Sequence, residues 1–81
     1  MNIIITGGSS GLGLASAEAF AEAGHNITLL ARGEKRLLEA AEQLRMKYPD
    51  AHIEERVLDV SNLDQVREFA KEITQPVDIL M

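Results

Sequence analysis

Apolar residues in this chain follow two rhythms that take turns. Short runs of aliphatic and β-branched residues, apolar on both faces, alternate with longer stretches in which apolar positions return every three or four residues. The first rhythm suits a strand covered on both sides, the second an amphipathic helix. The pattern predicts a strand over Asn2–Thr6, a helix from residue 11 or 12 to 23 that stops at Gly24, and a second strand over Asn26–Ala31. In the first helix Ala15, Ala19 and Ala23 recur at fourfold spacing with Leu12 and Phe20 nearby, and small side chains let a helix lie close to a sheet. A second helix is expected over Glu34–Lys47, with Leu37, Leu38, Ala41 and Leu44 on one side. Tyr48-Pro49-Asp50 ends it, because the residue before a proline is pushed out of helical space. A third strand over 53–58 is interrupted by Glu54, Glu55 and Arg56, which places it toward the sheet edge. Ser61-Asn62-Leu63-Asp64 has the form of a capping box for a helix over 62–74 carrying Leu63, Val66, Phe69, Ala70 and Ile73. Pro76 breaks that helix, and a fourth strand is expected over 77–81.

Strict alternation of strands and helices implies an α/β fold, a Rossmann-like doubly wound parallel sheet with right-handed crossovers. The expected strand order is 3-2-1-4 in a βαβαβαβ chain, so residues 1–81 read as one partial Rossmann domain, truncated after the fourth strand. Between strands 1 and 4 the chain reverses its direction across the sheet, leaving a crevice at the carboxyl ends of the strands where such folds bind ligands. The first two helices would cover one face and the third alone the other. A bare half-face and an open fourth-strand edge carry an expectation of self-association or marginal stability.

Thr6-Gly7-Gly8-Ser9-Ser10-Gly11-Leu12-Gly13 stands at that crevice, between strand and helix. It reads as a phosphate cradle: glycines let the backbone turn tightly and approach a ligand, and the N–H groups and positive dipole end of the helix converge on the same spot. The spacing Gly-x-x-x-Gly-x-Gly differs from the common Gly-x-Gly-x-x-Gly dinucleotide fingerprint, so its context carries as much weight as its letters.

Composition narrows the picture further. Hydrophobic residues make up 46 % and charged residues 26 %, a globular balance, and no apolar run approaches the roughly 20 residues that span a bilayer. With its first residues already in a strand and no leader pattern, the chain is expected to be cytoplasmic and not membrane-bound. The absence of cysteine rules out disulfides and thiolate metal sites. A net charge of −5 with no basic run argues against nucleic acid as a partner. His25 and His52 flank strands in polar surroundings and read as surface residues, with no metal site expected.

Thr6-Gly7-x-x-x-Gly11-Leu12-Gly13, Leu29-Leu30-Ala31-Arg32, Leu58-Asp59-Val60-Ser61 and Pro76-Val77-Asp78-Ile79-Leu80, in that order, resemble the N-terminal half of the short-chain dehydrogenase/reductase family. The resemblance implies that Gly7, Gly11 and Gly13 admit the pyrophosphate of a nicotinamide dinucleotide, with Ser9 and Leu12 lining the turn. Ser10 serves either as a ligand contact or as a simple cap. Asp59 would reach the adenine amino group with Val60 beside the ring, or else act as a helix-entry residue near Ser61. Ala31 occupies the slot where NAD-selective folds place an acid for the ribose 2′-OH, and Arg32 beside it can pair with a 2′-phosphate. The implied cofactor is therefore NADP(H) ahead of NAD(H), with an exposed loop charge as the plain alternative for Arg32 and solvated roles for Lys35 and Arg36.

By the same resemblance, the parent enzyme would be an oxidoreductase passing hydride between nicotinamide and a carbonyl or alcohol substrate. The family's Asn-Asn-Ala-Gly segment, serine and Tyr-x-x-x-Lys pair are absent from these residues, and Tyr48 does not fit the last of them. No catalytic residue is therefore assigned, and residues 1–81 alone are expected to be inactive. The competing reading is a non-catalytic nucleotide-binding or self-assembling module.

Overall fold

Ile3, Ile4 and Ile5 are β-branched and all three are buried, so the strand that holds them needs cover on both faces. In the computed structural model, which describes residues 1–7, 11–73, 76–77 and 79–80, this strand is β1 (Asn2–Thr6) and lies inside the sheet. The other elements are α1 (Gly11–Glu22), β2 (Asn26–Ala31), α2 (Glu34–Lys47), β3 (His52–Val57), α3 (Leu63–Glu72) and β4 (Ile79–Leu80). The strands pair in parallel in the order β3-β2-β1-β4, as the alternating pattern predicts. Ile3 stands opposite Ile27, and Ile27 opposite Ile53, so apolar rows run straight across the sheet. The charged third strand is an edge, also as predicted.

One face carries Ile3, Ile5, Ile27, Leu29 and Ile53 against Ala17 and Ala21 of α1 and Leu37, Ala41 and Leu44 of α2. The opposite face carries a smaller cluster, Ile4, Leu30 and Leu58, over which Val66 and Phe69 of α3 pack. Two helices therefore cover one face and one helix the other.

The helix faces differ from expectation. In α1, Ala17 and Ala21 are buried, while Ala15, Ala19, Ala23 and Leu12 are exposed. Alanines at every second position offer two sets at fourfold spacing. The half-buried Leu14 decides between them, because 14, 17 and 21 form one helical stripe. In α2, Leu38 points outward and Ala40 inward, since Leu38 lies about 100° around the helix from Leu37.

α1 stops at Gly24 as expected, and the cap of the third helix differs. α1 closes in a Schellman arrangement: Gly24 has φ 81°, its N–H donates to the Ala21 carbonyl, and the His25 N–H donates to the Phe20 carbonyl. The third helix is capped by Asn62 rather than by a box based on Ser61, because Asn62 Oδ1 accepts from the N–H groups of Asp64 and Gln65.

The first two strands keep their expected bounds, and the third and fourth move. The third strand spans His52–Val57 instead of 53–58, although the buried Leu58 still donates its N–H to Ala31. The fourth is Ile79–Leu80, with Val77 before it. Asp78 and Met81 lie outside the described residues.

Candidate functional site

Three loops meet at the carboxyl end of the sheet. In the first, β1 ends at Thr6 and Gly7 extends the ladder by one bond, its N–H donating to Leu30 at 2.8 Å. Gly7 has φ 66° and Gly11, which opens α1, has φ 59°. Such values strain any residue with a Cβ, while nothing lies within 4 Å of where a Cβ would stand on either glycine. No described residue fills the space above either glycine, and the positive end of the α1 dipole faces it. Gly13 is half-buried in the first turn of α1, and Leu12 is exposed. Ser9 and Ser10, which sequence reasoning also assigns to this cradle, lie outside the described residues.

The second loop follows β2. Ala31 is buried, Arg32 is exposed, and Gly33 caps α2 in extended conformation with no side chain to accept from the helix. Arg45, Lys47, Arg56 and Lys71 pair with Glu55, Glu18, Glu72 and Glu68. Arg32, Lys35, Arg36 and Arg67 form no salt bridge with a described residue. Three of these four fall within positions 32–36, so an acidic chain keeps a positive cluster at this end of the sheet.

The third loop follows β3. Asp59 is half-buried, and its Oδ1 accepts from the Ser61 N–H at 2.9 Å and the Ser61 hydroxyl at 2.6 Å. Those two bonds from Ser61 hold the Asp59 carboxyl below its ordinary value against an opposing effect of burial, with the charge of Arg32 as the smallest contribution. Arg32 and Asp59 thus follow the ends of two adjacent strands, β2 and β3. Val60 is exposed, and no described residue accepts from its N–H.

The remaining candidates sit elsewhere. Tyr48 follows α2 at the opposite end of the sheet, where its hydroxyl donates to Glu18. His25 Nδ1 meets the N-terminal amine at 3.2 Å, and His52 pairs with Glu54. One side chain that holds this loop was not singled out in the sequence. Gln65 Oε1 accepts the Asp59 N–H at 2.9 Å, and its spacing of three from the Asn62 cap is the available signal.

The sequence model of the short chain dehydrogenase family matches residues 1–81. An uncharacterized oxidoreductase of Mycobacterium tuberculosis is 39 % identical over 75 residues, covering 93 % of this chain and 30 % of the relative. L-sorbose reductase from Gluconobacter frateurii, solved with NADPH and L-sorbose, is 41 % identical with a TM-score of 0.82 and covers 98 % of this chain and 31 % of that one. A short-chain dehydrogenase from Sphingobium yanoikuyae in complex with NADPH is 32 % identical with a TM-score of 0.85 and covers 98 % and 31 %. The chain therefore spans about a third of the length of the proteins it matches.

Proposed function

The chain belongs to the short chain dehydrogenase family, and from that premise we propose that residues 1–81 form the NADP(H)-binding part of an oxidoreductase that passes hydride between nicotinamide and a carbonyl or alcohol substrate. The observation that carries the reading is Arg32, exposed and in no salt bridge with a described residue, at the end of a strand whose last residue, Ala31, offers no acid to a ribose hydroxyl. When bound, the dinucleotide supplies the redox chemistry; the protein supplies binding and orientation.

The residues present fit such a group. Gly7 and Gly11 leave open space at the positive end of α1, which suits a pyrophosphate, with Gly13, Leu12, Ser9 and Ser10 as the rest of the proposed cradle. Arg32 presents a planar guanidinium that pairs with a phosphate and that an acid at position 31 would neutralise. Asp59 keeps Oδ2 without a donor among the described residues, and the neighbouring Val60 N–H is an unused donor. Together they complement the amino group and ring nitrogen on one edge of adenine. A cytoplasmic location and self-association remain part of the proposal.

Replacing Arg32 with Ala should weaken NADPH binding by about ten- to hundredfold, the range of a well-ordered charged hydrogen bond, and leave NADH nearly unchanged. Ala31→Asp should move the preference toward NADH. Titration of both cofactors against each variant decides the matter: equal losses for NADH and NADPH on Arg32→Ala would make Arg32 a structural residue and remove the basis for NADP(H).

A further inference from the structure

Asp59 sits one residue beyond the last bond that links β3 to β2, the Leu58 N–H to the Ala31 carbonyl. The sheet no longer dictates its backbone, so something else must. Its carbonyl accepts the Asn62 N–H at 2.9 Å, its Oδ1 accepts twice from Ser61, and its N–H donates to Gln65 Oε1 at 2.9 Å. The first two sets of bonds are local to the turn. The third comes from the first turn of α3, whose start is itself pinned by the Asn62 cap. Gln65 is exposed and makes no other described hydrogen bond, so its side chain is committed to this one task.

We propose that Gln65 is a positioning residue for base recognition: by holding the Asp59 N–H it fixes the Asp59–Val60 segment, so that Asp59 Oδ2 and the Val60 N–H face the adenine edge together. This rests on the proposed dinucleotide function. An acceptor and a donor one residue apart read a base edge only if the backbone between them keeps one conformation. Removal of the glutamine leaves the Asp59 N–H to water and lets that segment turn. Arg32 and the glycines are assigned to the 2′-phosphate and the pyrophosphate, which Gln65 does not hold, so the loss falls on the base and not on the phosphates.

The test compares NADPH with its hypoxanthine analogue, in which a carbonyl replaces the adenine amino group, by fluorescence titration of the protein and its variants. The unaltered protein should prefer NADPH, since the analogue turns an acceptor toward Asp59. Gln65→Ala should weaken NADPH binding by about three- to tenfold, erase most of that preference and keep the selectivity for NADPH over NADH. Gln65→Glu, which retains an acceptor of the same reach, should restore it.

If Gln65→Ala unfolds at lower denaturant but keeps the adenine preference, Gln65 is merely structural and the inference is overturned while the dinucleotide reading stands. If the unaltered protein binds NADPH without preferring adenine, the Asp59 contact and this inference fall together. Failure to bind either cofactor overturns the dinucleotide reading itself.

Discussion

Gly7 answers to backbone geometry alone. With φ 66° and no atom of the described residues within 4 Å of an added Cβ, Gly7→Ala meets no steric obstacle among them, and its cost is that of a left-handed conformation, about 1–2 kcal/mol. Urea unfolding of Gly7→Ala should show a loss in this range, and an unchanged midpoint would mean that the loop relaxes to another path. Single residues were legible in the sequence where one physical need selects one residue type. Gly7 and Gly11 mark positive φ. Gln65 was not legible, because a glutamine three positions after a cap ordinarily reaches back to the cap's own N–H. Here it reaches to Asp59 instead, which depends on the path of a turn that spacing does not encode.

Elements were legible where the period of their apolar residues admits a single reading. The three long strands and α2 stand within a residue of where the pattern puts them. The face of α1 was not, since alternate alanines satisfy two helical stripes and only packing against the sheet chooses. How α1 and α2 join was also hidden. Glu18 accepts from Lys47 and, at 3.1 Å, from the Tyr48 hydroxyl, residues some thirty positions apart in sequence. Lys47 and Tyr48 hold the Glu18 carboxyl below its ordinary value. Glu18 in turn holds the Lys47 ammonium above its own, while partial desolvation and then Glu18 raise the Tyr48 phenol.

The signs of these shifts define a window. A depressed carboxylate stabilises the fold above its unfolded value, about pH 4, and that contribution fades as pH falls through the folded value. Raised lysine and tyrosine groups contribute below about pH 10 and lose their contribution as pH rises through their folded values. Glu18→Gln should therefore lower the urea midpoint at neutral pH and converge with the unaltered protein toward about pH 2. A gap that persists unchanged into acid would assign the effect to packing.

At the scale of the whole molecule, the face under α3 stays open. A hollow of about 850 Å³ runs over it, floored by Ile4 and Thr28 and flanked by Phe69 and Ile73, and Leu63, Ile73 and Val77 are exposed. A chain of this size buries only roughly 60–65 % of the surface of its unfolded form. Residues 1–81 on their own should therefore self-associate, and sedimentation should show an average mass that climbs with concentration. A monomer at all concentrations that melts cooperatively without ligand would contradict this. The layout of the two faces was legible from the handedness of the crossovers, but how thinly α3 covers its side was not, because Leu63 and Ile73 read as core and stand outside it. The central place of β1 carries a further consequence, one of time. Asn26 bonds to Asn2 across 24 positions, whereas Asn2 reaches the Pro76 carbonyl across 74. Closing the shorter loop costs less entropy and becomes possible much earlier as the chain leaves the ribosome. Synthesis thus builds the wing of β1, β2 and β3 first and adds β4 last, so the wall that carries Gly7, Arg32 and Asp59 exists before its sheet is finished.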